Sequence, residues 1–311
     1  SLVAQNAPVR QWSLSWPSGT NALSGSTGCI QAITQALDGG YVGVGYINVN
    51  GQSLQPSAIK VDAQGKKLWE KVLDDNNTSI GILYDVIPVP NSTDVIGIGF
   101  KNGLVVFRLK QNGTIAAGFP KYFNATNMTG LGTFNPIGLS IRPYNVGGVH
   151  AGYVMCGDLF SCGTFGDQYQ SAGGLVIKTD VNFNLDLNFK SHANTAGWGK
   201  YNFGSNLFSF SDDRAAARCV RPINDASGNV TSFIITGQVY DSPCVCGTPG
   251  GGCGTTAPPL NVFTARINLN GTVNWKTSLD ETTIAGYNDI GPDTICTTNG
   301  LPVENSSQIG F

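Results

Sequence analysis

Charged side chains are scarce in this sequence. They make up 12% of the 311 residues and leave a formal net charge of -2, and 12% is about half the share of an average globular protein. Lysine and arginine form no cluster, which excludes the basic stripe that nucleic-acid-binding proteins present to phosphate. We therefore expect no nucleic-acid partner.

Long apolar runs are also missing. No stretch approaches the roughly 18 consecutive apolar residues that a membrane-spanning helix needs. The sequence starts at Ser1 without a basic and apolar leader. We expect a chain with no membrane span that has been processed or trimmed.

Histidine is rare, and the common catalytic motifs are absent. His150 begins a predicted strand, where a structural role is the simpler interpretation, and His192 would need Asp212 or Asp213 as an acid–base partner at a spacing that nothing enforces. The sequence contains no nucleophile elbow, phosphate-binding loop or zinc-protease motif. We expect no catalytic residues, no cofactor and no metal site, and hence a chain that is not an enzyme.

Glycine is abundant, with 41 residues, and a short phrase built around a glycine recurs along the chain. Its copies are YVGVGY (41–46), DVIGIGF (94–100), YVMCGD (153–158), FIITGQ (233–238) and SQIGF (307–311). Apolar residues alternate with a period of two in these copies, which predicts a β-strand in each.

A second phrase combines a strand, a turn and a late aromatic residue. Its copies are IKVDAQGKKLW (59–69), FRLKQNGTIAAGF (107–119), IKTDVNFNLDLNF (177–189) and ARINLNGTVNW (265–275). Another short strand precedes each first phrase, so the repeating unit has three strands and then a fourth that carries the aromatic residue. We predict an all-β fold over 1–311, a single β-propeller of about five four-stranded blades.

The two ends of the chain each supply half of a repeat. Residues 1–16 match the end of a third strand, a turn and a fourth strand, with Trp12 in the place of Trp69, and residues 293–311 supply a first and a second strand. We expect the last blade to be composed of these N- and C-terminal strands, within one chain or between two. Closure between chains generates a filament.

The pair DGGYVGVGY and IKVDAQGKKLW resembles the quinoprotein-like β-propeller repeats of secreted and surface proteins. The likeness covers most of residues 29–311, and because it is a likeness of repeats it implies no particular activity. Members that use a quinone typically have eight blades, a bound calcium and two adjacent cysteines, whereas Val245 separates Cys244 from Cys246 here. The resemblance therefore implies no quinone cofactor.

The number of cysteines is even, which favours disulfide bonds in an oxidising compartment. They are Cys29, Cys156, Cys162, Cys219, Cys244, Cys246, Cys253 and Cys296. We expect a local bridge between Cys156 and Cys162, and a bridge between Cys29 and Cys296 across the closure of the ring.

The insert 241–260 is rich in glycine and proline and contains three of these cysteines. We expect Cys253 to pair with Cys244 or Cys246, and Cys219 to pair with the other. Connectivity does not follow from sequence, because eight cysteines allow 105 pairings. Zinc bound by the three cysteines of the insert stays open as an alternative.

Nine Asn-x-Ser/Thr sequons predict a glycoprotein that is secreted, extracellular or on the cell surface. They lie at Asn76, Asn77, Asn91, Asn112, Asn124, Asn127, Asn229, Asn270 and Asn305. Good turn chemistry is an alternative explanation for the two Asn-Gly-Thr copies, at 112–114 and 270–272.

A second insert, 190–215, is rich in aromatic residues. Trp198, Tyr201 and Phe203 are candidate binding residues, because exposed aromatic rings suit sugar stacking or protein contact. The alternative is that the insert packs its own aromatic residues over a blade.

Together these features predict an extracellular structural or adhesive module, and one form of this prediction is the subunit of a self-assembling surface fibre. Its partners would be further copies of itself, or a glycan or protein of the cell surface. The alternatives are a glycan-active propeller enzyme, which would need two carboxylates about 5–9 Å apart in a cleft, and a carbohydrate- or protein-binding receptor domain.

Overall fold

The structure is a computed structural model. It describes residues 27–48, 54–73, 80–132, 134–161, 170–191, 196–201, 214–240, 260–279, 294–296 and 302–304. All regular elements in these ranges are β-strands. Within them, no helix has the length and apolar character needed to cross a membrane.

Two four-stranded sheets come first along the chain, each with its strands in chain order. The first sheet contains β1 (Thr27–Gln35), β2 (Tyr41–Asn48), β3 (Leu54–Val61) and β4 (Lys67–Val72). The second contains β5 (Ile82–Pro88), β6 (Val95–Phe100), β7 (Leu104–Leu109) and β8 (Lys121–Phe123).

Two further four-stranded sheets follow, again with their strands in chain order. The third contains β9 (Asn135–Val146), β10 (Val149–Ser161), β11 (Gln170–Asp180) and β12 (Trp198–Tyr201). The fourth contains β13 (Arg214–Asn224), β14 (Val230–Tyr240), β15 (Leu260–Asn268) and β16 (Val273–Leu279). A two-stranded sheet of β17 (Thr294–Cys296) and β18 (Pro302–Glu304) comes last.

These sheets confirm the predicted fold class. Each is a meander of four short antiparallel strands, which is the arrangement of a propeller blade. The first phrase forms the second strand of each sheet, and the second phrase begins in the third strand. Because residues 1–26 lie outside the described ranges, the last blade composed of 1–16 and 293–311 stays a prediction.

The last two strands differ from the predicted pattern. β17 pairs antiparallel with β18, and Thr294 lies opposite Glu304. The sequence instead suggested a second strand at 307–311, and these residues lie outside the described ranges.

The glycine shared by the first phrases lies beside an irregularity in the first strand of each sheet. The pairing register between the first two strands shifts there in all four sheets, as it does at a β-bulge. A Cβ atom on Gly45 would lie 1.9 Å from the carbonyl oxygen of Cys29. At Gly99, Gly157 and Gly237 the equivalent distance is 1.8–2.0 Å. Only glycine fits these positions.

The position of the aromatic residue in the second phrase was predicted correctly for two sheets. In the first and fourth sheets the tryptophan lies in the fourth strand. In the second and third sheets, Phe119 and Phe189 precede the fourth strand instead. In both sheets the residues just after the turn form an isolated β-bridge. The fourth strand therefore begins after the aromatic residue.

The chain divides into two compact units. The first comprises residues 1–101 and 106–120, and the second comprises 102–105 and 121–311. In the second unit the third and fourth sheets pack face to face around a core that includes Val154, Val176, Phe233 and Phe263. In the first unit, Val44 of the first sheet lies 3.6 Å from the Cβ position of Gly97 in the second.

Candidate functional site

The aromatic residues that the sequence nominated for binding are buried. Trp198 is 2% exposed and donates its indole N–H to the carbonyl oxygen of Thr129 at 3.1 Å. Tyr201 is 4% exposed and donates its hydroxyl to the carbonyl oxygen of Gly271 at 2.7 Å. The prediction of a binding surface is therefore wrong for these two residues, because both rings fill the packing of the second unit. Phe203 lies outside the described residues.

One of the two histidines can be placed. His150 Nε2 lies 3.1 Å from the carbonyl oxygen of Gly152, its ring packs edge-on against Tyr153, and burial lowers its pKa. These contacts describe a structural residue. The predicted acid–base alternative at His192, Asp212 and Asp213 lies outside the described ranges.

Three cysteine side chains are described. The thiols of Cys29 and Cys219 are free in the structure, and burial raises the pKa of Cys29. Cys156 is fully buried, and its thiol donates to the carbonyl oxygen of Ala217 at 3.3 Å. The structure thus gives the predicted disulfides no support. Because the predicted partners Cys162, Cys244, Cys246, Cys253 and Cys296 have no described side chains, the pairings and the zinc alternative stay predictions.

Six of the nine sequons lie in the described ranges. Asn91, Asn112, Asn127 and Asn270 are exposed, and Asn124 and Asn229 are half-buried. Asn112 and Asn270 have matching geometry, since each side-chain oxygen accepts from the backbone N–H of the threonine two residues later at 3.1 Å and from its hydroxyl at 2.8 Å. Asn76, Asn77 and Asn305 lie outside the described residues. Glycosylation stays a prediction.

A basic residue that sequence reasoning overlooked occurs near the end of each third strand. The four residues are Lys60, Arg108, Lys178 and Arg266, and they bind Asp38 at 2.5 Å, Asp94 at 2.8 Å, Asp186 at 2.7 Å and Ser232 at 2.8 Å. The signal was visible in the second phrases, which begin IK, FR, IK and AR. Each sheet thus holds a cation beside one of its turns.

The first of these cations belongs to a network in the first unit. Lys60 is only 1% exposed and pairs with Asp38. Gln111, in the turn after β7, donates its side-chain amide to the same carboxylate at 3.0 Å. Trp69 donates its indole N–H to the backbone oxygen of Gln111 at 2.8 Å. Mainly because Lys60 donates to it, the pKa of Asp38 lies below its ordinary value.

A polar cleft opens beside this network. Its volume is about 460 Å³, and it is lined by Thr93, Asp94, Lys110, Gln111 and Asn112. The Asp94 side chain is 17% exposed and is held by its ion pair with a neighbouring arginine. The cleft thus combines a carboxylate, an ammonium group, two amides and a hydroxyl. We call it the polar cleft.

The fourth sheet contains a different candidate surface. In β3, β7 and β11 almost every residue with a described side chain is buried, so both faces of these third strands are covered. In β15 burial alternates: Phe263, Ala265 and Ile267 are fully buried, while Val262 is 49% exposed. This pattern marks a sheet with one fully covered face and one partly covered face, on which Ser232 is still buried.

Strand register identifies the residues of the partly covered face, which we call the open face. Ile234 of β14 pairs with Arg266 of β15, which pairs with Trp275 of β16, and directly paired residues point to the same face. The open face comprises Ile234, Thr236, Val262, Thr264, Arg266, Trp275 and Thr277. Trp275 is 42% exposed.

No group of three or more His, Cys, Asp or Glu side chains within metal-binding reach occurs in the described part of the chain. Four described carboxylates, those of Asp38, Glu70, Asp94 and Asp186, each form an ion pair with a lysine or an arginine. Within the described ranges, the polar cleft and the open face are the two surfaces on which we argue a function.

Comparison with known proteins gives little beyond distant structural likeness. No family model matches the chain, and no curated protein matches it. Among 14 chains of solved structures that match, one is a "putative exo-beta-1,3-galactanase" from Bifidobacterium bifidum s17, at 13% identity and TM-score 0.43, covering 82% of this chain and 74% of that one. Another is a protein of unknown function from Bacteroides caccae, at 11% identity and TM-score 0.29, covering 83% and 84%.

The expectation that the chain is not an enzyme is corrected by this comparison. One structure to which the chain is similar is itself a "putative exo-beta-1,3-galactanase". At these TM-scores the likeness assigns no activity to this chain either. The resemblance to quinoprotein-like repeats stays a prediction, since no family model matches.

Proposed function

We propose that this chain is a self-associating extracellular β-propeller module, and that the open face of its fourth sheet binds a second copy of the chain. The observation that carries the proposal is the one-sided burial of β15. Its inner residues Phe263 and Ala265 are fully buried, and Val262 on the other face is 49% exposed.

The chemistry of the open face suits contact with another sheet. Val262 and Trp275 are apolar and about half exposed, and burying such surface contributes about 25 cal/mol per Å². Thr264 and Arg266 lie between them and are partly covered. An aromatic residue and an arginine beside aliphatic groups are typical of residues that dominate binding energy at protein interfaces.

The short last sheet supports the choice of a second copy as the occupant. Among the described residues, β17 and β18 pair only with each other, so this sheet has two strands where the others have four. Open strand edges are templates for pairing with another chain. If β17 and β18 paired with strands of a second copy, the resulting sheet would be wide enough to cover the open face of a fourth sheet.

The expected location follows from composition. A surface that is poor in charge and rich in sequons suits a secreted or cell-surface protein. Of the described sequons, Asn91, Asn112, Asn127 and Asn270 are exposed, so a glycan at these positions would be compatible with the folded chain.

Replacing Val262 by Glu should weaken self-association by about tenfold or more, because an unpaired carboxylate would be buried in the contact. Sedimentation velocity over a wide range of protein concentration measures the association, and electron microscopy shows whether the product is a filament. Val149→Glu is the matched control, since Val149 is 68% exposed at the hairpin between β9 and β10.

Two results would contradict the proposal. The first is a wild-type chain that stays monomeric at every concentration. The second is a Val262→Glu variant that associates like wild type, or that loses folding stability while its mass is unchanged. The latter would mean that another part of the same chain covers the face.

A further inference from the structure

The polar cleft lies in the first unit, and the proposed self-association does not use it. Its lining mixes donors and acceptors at close range: Lys110 and the amide nitrogen of Asn112 can donate, and Thr93 can do both. The amide oxygen of Gln111 can accept, while its amide nitrogen donates to Asp38 and the Asp94 carboxylate is paired with Arg108. A sugar ring presents hydroxyl groups that also donate and accept. Binding sites for such ligands place a few fixed polar groups in a concave surface.

Other ligand classes fit the lining poorly. A phosphate or another anion would meet one cation of the lining, Lys110, because the arginine beside the cleft, Arg108, is already paired with Asp94. An apolar ligand would have to desolvate five polar side chains, which costs free energy unless each finds a partner. A neutral ligand with several hydroxyl groups avoids both problems, because it carries no charge and can form hydrogen bonds with the polar side chains of the lining.

The lining is held in place before any ligand binds. The turn is closed by two backbone hydrogen bonds between Lys110 and the residues that follow it, Gly113 N–H to Lys110 O at 2.8 Å and Lys110 N–H to Thr114 O at 2.9 Å. Gln111 is fixed by Trp69 on its backbone and by Asp38 on its side chain. Such preorganisation lowers the entropy lost on binding.

We propose that the polar cleft is a carbohydrate-binding site. Two sources can supply the carbohydrate. Asn112 belongs to a sequon and lines the cleft, and its side-chain oxygen is engaged by Thr114. A glycan linked to its amide nitrogen would therefore start within the cleft. A free glycan of another molecule is the second source.

The test uses the full chain produced in a glycosylating host and an array of oligosaccharides built from glucose, galactose, mannose and N-acetylglucosamine. Peptide mass spectrometry reports whether Asn112 is modified. Thr114→Val removes this sequon without changing a lining residue, and Thr272→Val removes the matching sequon at Asn270 as a control.

The outcomes distinguish the two sources. Binding by the wild-type chain with Asn112 unmodified supports a free glycan. The glycan of the chain itself is supported as the source if Asn112 is modified in the wild-type chain and array binding appears in the Thr114→Val variant but not in the Thr272→Val variant. That glycan would then occupy the cleft until its sequon is removed. Absence of array binding in all three proteins overturns the proposal.

A second pair of variants ties the binding to the cleft. In the protein that binds the array, Lys110→Ala should weaken binding about tenfold, because a charged hydrogen bond to the ligand is lost. Lys66→Ala is the matched control, since Lys66 is exposed in the corresponding turn of the first sheet. Equal affinity of the Lys110→Ala and Lys66→Ala variants would also overturn the proposal.

Discussion

Replacing Asp38 by Asn should lower the free energy of unfolding by about 3 kcal/mol, the lower end of the cost of breaking a buried ion pair. Lys60 is 1% exposed and would lose its carboxylate partner in the protein interior. We take the lower end because the Asp38 side chain is 25% exposed, so water screens part of the interaction. Urea unfolding of the two proteins at neutral pH measures the difference.

A double variant provides the control. Combining Asp38→Asn with Lys60→Met removes the buried charge as well as its partner, and apolar replacements of buried pairs are often neutral or stabilising. The double variant should therefore recover most of the lost stability. If the double variant is as unstable as Asp38→Asn, the loss of the ion pair is not the cause of the lower stability.

The same pair predicts a dependence on pH. The pKa of Asp38 lies below its ordinary value, which is about 3.9 for aspartate. A lowered carboxylate pKa contributes stability that is fully present above the ordinary pKa and is lost as pH falls through the lowered pKa. The stability difference between wild type and Asp38→Asn should therefore shrink at acid pH. A difference that is constant from neutral pH to about pH 2 would contradict this account.

Replacing Gly99 by Ala should cost about 3 kcal/mol, at the upper end of the usual range for overpacking. The new Cβ would lie 1.9 Å from the carbonyl oxygen of Ile82 and 2.7 Å from the Cα of Leu83. Both are backbone atoms of β5, so relief requires the first strand of the sheet to move. Thermal or urea unfolding measures the loss.

Gly97→Ala is a matched control in the same strand. The nearest atom to its Cβ would be Cδ1 of Leu83 at 3.0 Å, the end of a flexible side chain that can turn away. We expect a cost of about 1 kcal/mol, at the lower end of the range for overpacking. Similar losses for Gly97→Ala and Gly99→Ala would show that the bulge beside Gly99 does not require glycine.

The glycines show which features of the fold can be predicted from the sequence and which cannot. Alternation around Gly45 and Gly99 was enough to locate β2 and β6, because a period of two is a local property of an extended chain. The reason for the glycine itself lies in the strand beside it, where the register shifts. A bulge involves two strands, and a pattern within one strand does not reveal it.

The candidate surfaces show the same division. Composition left open whether Trp198 and Tyr201 are exposed or packed over a blade, and the structure places both in β12, where packing within the second unit buries them. The turn at 110–112 looked like ordinary hairpin chemistry, and the fold brings it beside Asp94 to line a cleft. Residues distant in sequence meet only through the arrangement of sheets.

The open face is an intermediate case, because the sequence of β15 contains a pattern that indicates a polar side. β7 begins LVVF, a continuous apolar run that indicates two buried faces, whereas NVFTARIN in β15 places Thr264 and Arg266 on alternate positions. Periodicity therefore indicated a strand with one polar side. Only the structure shows that the opposite side packs on the third sheet, while Val262 and Trp275 on this side stay 49% and 42% exposed.

Strand periodicity and turn residues act over a few positions, so they were enough to predict an all-β protein built from repeated four-stranded units. Only the folded chain shows which aromatic residues are buried, which turn lines the polar cleft and which sheet has a partly open face. These properties depend on the residues that surround each sheet, and no segment of the chain specifies its neighbours in space.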